Sequence, residues 1–223
     1  MQVKKVIRSK RKTIALQICD DATLIVRAPF GVSKNIIRHT ILKHHKWLEN
    51  KKREILSRNL ILTKRKFVNG ELFLYMGKSY PLKMISKNDL EEPLFLDVGY
   101  FYLQENVIHR REIFVSWYKR AAYEKISQRI HWYALKRGLI YNDVKISNAQ
   151  KQWGSCTHLS NLNFTWRLIM APLPVIDYVV VHELVHLVEK NHSPSFWNQV
   201  RFILPDYKIQ KYWLSKNEHL LRL

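Results

Sequence analysis

The 223-residue chain has little cysteine, with two, and little acid, with 18 Asp and Glu against 38 Lys and Arg. Cys19 and Cys156 cannot build a disulfide framework. That excludes the small stapled secreted scaffolds and points to a reducing, cytoplasmic setting. No apolar run approaches the ~18 residues of a transmembrane span, and the segment Met1 to Arg8 lacks the apolar core of a signal peptide. Internal repeats and low-complexity linkers are also missing. The scarcity of acid leaves a formal net charge of +20. Such a surface attracts nucleic acid, nucleotides or acidic proteins, although no nucleic-acid recognition motif accompanies it. What the chain does have is 47% hydrophobic and 12% aromatic residues, the composition of a globular protein with a real core in one or two domains.

Residues 3–8, 13–18 and 23–28 are rich in β-formers and read as three antiparallel strands, ended by Pro29-Phe30-Gly31. Ser33 is placed to cap one helix carrying Ile36, Ile37, Ile41, Leu42, Trp47, Leu48, Ile55 and Leu56. Its other face holds Lys43, Lys46, Lys51, Lys52 and Arg53, with Lys64, Arg65 and Lys66 following, and is the best candidate for nucleic-acid contact. His44 and His45 cannot share a helical face and read as surface residues. Two strand pairs follow, one about Met76-Gly77-Lys78-Ser79 and one broken at Asp97-Val98-Gly99. From about Val107 the period becomes helical through Ile108, Ile113, Trp117, Ala121, Ile126, Ile130 and Ala134, and Gly138 stops it. Residues 144–147 read as a strand, 151–157 as a loop and 163–170 as a strand. Ser193-Pro194 starts a helix, and Asp206 opens the last one. The fold class is α+β, with a β-rich region over 1–105 and a second domain over 106–223.

The chemistry lies in Val179-Val180-Val181-His182-Glu183-Leu184-Val185-His186-Leu187-Val188, an apolar run introduced by Pro172 and Pro174. On a helix His182 and His186 stand about one turn apart on one face, where two imidazoles can hold one Zn²⁺. Glu183 points about a quarter-turn away, placed to act as general base on a water rather than as a ligand. A third ligand is required. On a continuing helix His192 would lie about 9 Å further along, so the chain must turn back at Glu189-Lys190-Asn191, with Asn suited to a left-handed helix end. Glu189, Glu218 and His219 are the competing ligands. The His-x5-His spacing is similar to that of the metzincins, but Glu189 stands where their turn glycine would be.

The chain resembles the YgjP-like metallopeptidases, relatives of the WLM and SprT-like proteases. Trp153-Gly154-Ser155-Cys156, Asn163-Phe164-Thr165-Trp166-Arg167-Leu168 and the run from His182 through Asn191-His192-Ser193-Pro194 to Phe196-Trp197 carry the resemblance. One departure is Gln152, where Arg is expected. The resemblance implies zinc on His182, His186 and His192, with Glu183 catalytic. It also implies a zincin-like domain in which a small sheet lies over the metal helix. Residues 163–170 would be the edge strand to which a peptide or protein substrate adds. Trp153, Trp166 and Trp197 are expected to pack in the core. Cys156, with no base evident beside it, is expected to be a structural thiol. The alternatives are a metal-dependent nucleotide pyrophosphatase and a nucleic-acid-binding module with a structural metal. An intact Glu183 argues against the latter.

Overall fold

The computed structural model describes residues 3–19, 21–61, 65–86 and 92–223. The chain divides into two units, Met1–Arg65 and Lys66–Leu223. In the first, β3 (Leu24–Pro29) is central and buries Leu24, Val26 and Ala28 on one face. It pairs antiparallel with β2 (Ala15–Ile18) and parallel with β1 (Val3–Ser9), in the order β1-β3-β2. The all-antiparallel expectation is therefore corrected. A tight turn, in which the Ala22 N–H bonds the Cys19 carbonyl, joins β2 and β3 antiparallel. β1 takes the remaining edge of β3, and its direction there is parallel.

The single helix expected after Ser33 is two, α1 (Lys34–Lys43) and α2 (His45–Ile61). Ser33 caps α1 as expected, its hydroxyl accepting from the Ile36 N–H at 3.3 Å. The chain leaves helical geometry at His44, and the break lets Ile37 and Leu48 reach one core under β3. Ile36, Leu42 and Trp47 remain exposed. The break also divides the basic face, with Lys43 on α1 and Lys46, Lys51, Lys52 and Arg53 on α2. Lys64 lies outside the described residues.

The second unit holds a four-stranded sheet, β4 (Leu72–Tyr75), β5 (Lys78–Ile85), β6 (Leu94–Asp97) and β7 (Tyr100–Gln104), in the order β4-β5-β7-β6. Its hairpins turn at Met76-Gly77 and Val98-Gly99, as the sequence signals require. α3 (Arg110–Arg137) ends at Gly138 in the left-handed region, φ 61°. Its buried stripe runs through Phe114, Tyr118, Ala121, Ala122, Ile126 and Ile130, and Phe114 stacks on Phe73 at 4.2 Å between ring centroids.

The second sheet is β8 (Val144–Ser147), β9 (Gly154–Cys156) and β10 (Leu162–Thr165), in the order β8-β10-β9. Two expectations change here. The stretch 163–170 is a strand only to Thr165, then a 3-10 turn over Trp166–Met170. That strand is also central, parallel to β8 and antiparallel to β9. The apolar character that marks it as a strand is what buries Leu162 and Phe164 inside the sheet. The edge strands are β8 and β9, and β9 lies inside the segment expected to be a loop.

α4 (Leu173–Val185) follows and is buried almost all round. α3 holds it through Arg129, whose guanidinium donates to both Asp177 carboxylate oxygens at 2.6 and 2.9 Å. The β4–β5 hairpin tip docks at its start. The Met76 and Gly77 N–H groups donate to the carbonyls of Ile169 and Met170, and Gly77 sits against Pro172. A Cβ at Gly77 would stand 2.7 Å from the Pro172 Cγ, and φ there is +78°. Gly77→Ala is expected to lower stability by about 1–3 kcal/mol, read as a shift of the urea midpoint. An unchanged midpoint would show that the hairpin does not brace α4.

Candidate metal centre and cleft

α4 ends at Val185, and His186 is its capping residue, still in right-handed helical geometry. The reversal then runs through consecutive tight turns. The Leu187 and Val188 N–H groups donate to the Leu184 and Val185 carbonyls at 3.0 and 3.1 Å. No residue from 186 to 192 has a positive φ, so the left-handed Asn191 expected from the sequence is not used, and no glycine is needed. The Asn191 side chain instead accepts from the Ser193 N–H at 3.1 Å, and Ser193 caps α5 (Pro194–Ile203) through the Phe196 N–H. The Ser195 hydroxyl donates to the Glu189 carboxylate at 2.7 Å, tying the reversal to α5.

This path brings His192 back over α4. Ligand-type nitrogens of His182, His186 and His192 lie within 4.8 Å of one another, the one such group of three among the described residues. Nε2 of His182 and Nε2 of His192 are 3.0 Å apart. Two nitrogens on one tetrahedral zinc would be about 3.3 Å apart, so the pair fits a shared ion. Nδ1 of His186 donates to the Glu189 carbonyl at 2.9 Å, which leaves its Nε2 bare for a metal. Burial, then His186 and His192, hold the His182 imidazole down to about 3, and burial lowers His192 as well. Neutral imidazole is the form a metal takes. Nδ1 of His182 is buried with no partner among the described residues. The competing ligands are elsewhere: the Glu189 carboxylate holds Ser195, and Glu218 and His219 lie in the 3-10 turn Glu218–Leu220.

Aromatic rings fix the imidazoles. Phe196, fully buried, meets His182, His186 and His192 at 4.9, 4.6 and 4.8 Å between centroids. Trp197 stacks on His192 and on Tyr207 of α6 (Tyr207–Asn217). Tyr207 in turn stacks on Tyr178. Of the three tryptophans expected in the core, Trp166 is fully buried, while Trp153 lines the cleft and Trp197 braces a histidine.

Glu183 is not part of the histidine cluster, and with His182 it lines a cleft of about 220 Å³ whose other walls are Trp153, Gly154, Tyr178, Val179 and Leu214. Burial pushes its carboxyl up to about 8, and a neighbouring cation would bring it down. The Cys156 thiol donates to the Thr157 carbonyl at 3.5 Å, and burial raises its pKa. Two cleft residues received no role from the sequence. Gly154 lies in the quoted Trp-Gly-Ser-Cys segment, but only the fold shows what it faces. Tyr178 stands four residues before His182, a spacing that places it on the histidine face.

A Cβ at Gly154 would stand 2.6 Å from the Glu183 Cγ and 2.7 Å from its Oε1. Edge strand and carboxylate are therefore in contact because this residue has no side chain. Gly154→Ala is expected to push the carboxylate aside and reduce kcat about 10- to 1000-fold, with the metal retained. Unaltered turnover would show that the position of Glu183 does not depend on β9.

A family model for the YgjP-like metallopeptidase domain matches residues 12–217. Among solved structures, the metallopeptidase zymogen of Pyrococcus abyssi abylysin aligns with 42% of this chain and 95% of its own, at 18% identity and a TM-score of 0.38. A likeness that weak carries no further argument. No curated protein matches the chain.

Proposed function

The chain belongs to the YgjP-like metallopeptidase family, and from that premise we propose that it cleaves peptide bonds with one Zn²⁺ on His182, His186 and His192 and with Glu183 as general base. The observation that carries this is the gathering of three bare imidazoles beside a carboxylate that stays out of their cluster. Bound there, zinc would polarise the scissile carbonyl and acidify the attacking water. Three protein ligands leave the open position that a catalytic site needs, and His192 is exposed on that side. Glu183 takes the proton of the attacking water and later gives it to the leaving amine. One face of β9 lies against Glu183 at Gly154, and its outer edge in the sheet suits addition of an extended peptide as a further strand. On this reading the catalytic residues lie in the expected 106–223 region, which is part of the larger unit Lys66–Leu223. Its setting is the cytoplasm, in keeping with Cys19 and Cys156 as free thiols. No helix among the described residues is long and apolar enough to cross a membrane.

Glu183→Gln is expected to keep zinc and lose about 10²- to 10⁴-fold in kcat on a peptide panel. His192→Ala is expected to lose zinc in metal analysis, while Glu189→Ala and Glu218→Ala keep it. Zinc lost from Glu218→Ala but kept in His192→Ala would reassign the third ligand. Hydrolysis of nucleotides instead of peptides would replace the substrate class.

The net charge of +20 supports nucleic acid as a second partner through Lys43, Lys46, Lys51, Lys52 and Arg53. Reversing these charges is expected to weaken DNA or RNA binding and leave small-peptide hydrolysis unchanged. Binding should fall with salt by about 0.9 log units per decade for each phosphate contact on duplex DNA. No binding at low salt would remove nucleic acid from the account.

A further inference from the structure

Tyr178, His182 and His186 are spaced four apart, so they form one stripe along α4 and its capping residue. Ring centroids are 6.0 Å apart between Tyr178 and His182 and 4.9 Å between His182 and His186. Tyr178 is 6% exposed, yet it lines the cleft opposite Trp153 and Gly154, beside Glu183. No group among the described residues takes a hydrogen bond from its hydroxyl. The stack on Tyr207 accounts for the ring, and a phenylalanine would serve that packing equally. The hydroxyl is the part that packing leaves unexplained. With its ring packed and its hydroxyl held by no protein acceptor among the described residues, Tyr178 has a donor to offer a ligand in the cleft it lines.

We propose that Tyr178 is a further catalytic residue, its hydroxyl donating a hydrogen bond to the oxygen of the scissile carbonyl as that oxygen becomes negative. The inference rests on the peptidase reading above. Attack by water forms the new C–O bond and moves the carbonyl π pair onto oxygen. Glu183 takes the water proton, and Tyr178 keeps its own while donating to the new oxyanion. Collapse restores the carbonyl and breaks the C–N bond, and the proton on Glu183 passes to the leaving nitrogen. A donor already in place on the wall of the cleft stabilises that charge without reorganising. A phenol has an ordinary pKa of about 10 and so remains a donor throughout the neutral range.

The test is Tyr178→Phe in the zinc-loaded full chain, which keeps the ring and removes only the donor. The expected result is a fall in kcat of about 10²- to 10³-fold, with KM, zinc content and thermal midpoint unchanged. A phosphinic peptide, whose tetrahedral anion mimics the oxyanion, should lose affinity by a comparable factor in calorimetry. Near-normal kcat and phosphinate affinity in Tyr178→Phe would overturn the proposal and leave Tyr178 as packing. A fall in zinc content equal to the fall in rate would also overturn it. If the wild type hydrolyses no peptide, the peptidase reading fails separately. The phosphinate titration then still decides, since equal or absent affinity in the two proteins rejects Tyr178 as an anion donor.

Discussion

The chain reversal between His186 and Ser193 is the constraint on which the rest of the site depends. A helix can put only two imidazoles on one face within reach of a single ion, because the next turn lies too far along. The third must come from chain that leaves the helix and returns. Here the return is made by two tight turns after Val185, by Nδ1 of His186 held to the Glu189 carbonyl, and by the Ser195–Glu189 bond. One residue thus serves both ends of the reversal, its carbonyl orienting a histidine and its carboxylate anchoring α5. Phe196, in the first turn of that helix, then touches all three imidazoles. The reversal, the cap of α5 and the orientation of the rings form one packed unit.

The second half of the site is built by a different element. Glu183 lies beside His182 on the cleft wall, and β9 approaches it so closely that Gly154 admits no side chain. Bare imidazoles and an enclosed carboxylate thus stand side by side in one site. The scaffold that holds this helix uses the Arg129–Asp177 pair from α3 on one side and the Gly77–Pro172 contact from the first sheet on the other. Precision at the histidines therefore reaches back to Gly77, more than a hundred positions earlier in the chain.

Much of the fold was legible in the sequence where signals were local. The hairpins at Met76-Gly77 and Val98-Gly99, the stop of α3 at Gly138 and the cap at Ser193 each follow from the chemistry of one or two residues. Pairing order was not legible, because it depends on contacts distant in sequence. Nothing in residues 3–28 says that β3 lies between β1 and β2, and the alternating Leu162-Asn163-Phe164-Thr165 does not reveal that this strand is central and that short, polar β9 is at an edge. The break at His44 was hidden because Ile36 and Leu42, which extend the apolar pattern, stay on the surface. At the site, His192 needed a chain reversal that left Glu189, Glu218 and His219 in competition until the family resemblance singled it out, whereas the His182–His186 spacing could be read directly, since helical geometry converts spacing into position. The roles of Gly154 and Tyr178 could not, because each depends on what faces it from another element.

The account stands on three imidazole nitrogens sharing one metal while Glu183 stays outside the coordination shell. X-ray absorption at the zinc edge of the purified, singly loaded chain tests this most directly. The expected spectrum has one zinc with three nitrogen ligands at about 2.0–2.1 Å, multiple scattering from three imidazoles, and one further oxygen that exchanges with added small anions. Multiple scattering from only two imidazoles, or a carboxylate signal that disappears in Glu183→Gln, would contradict it.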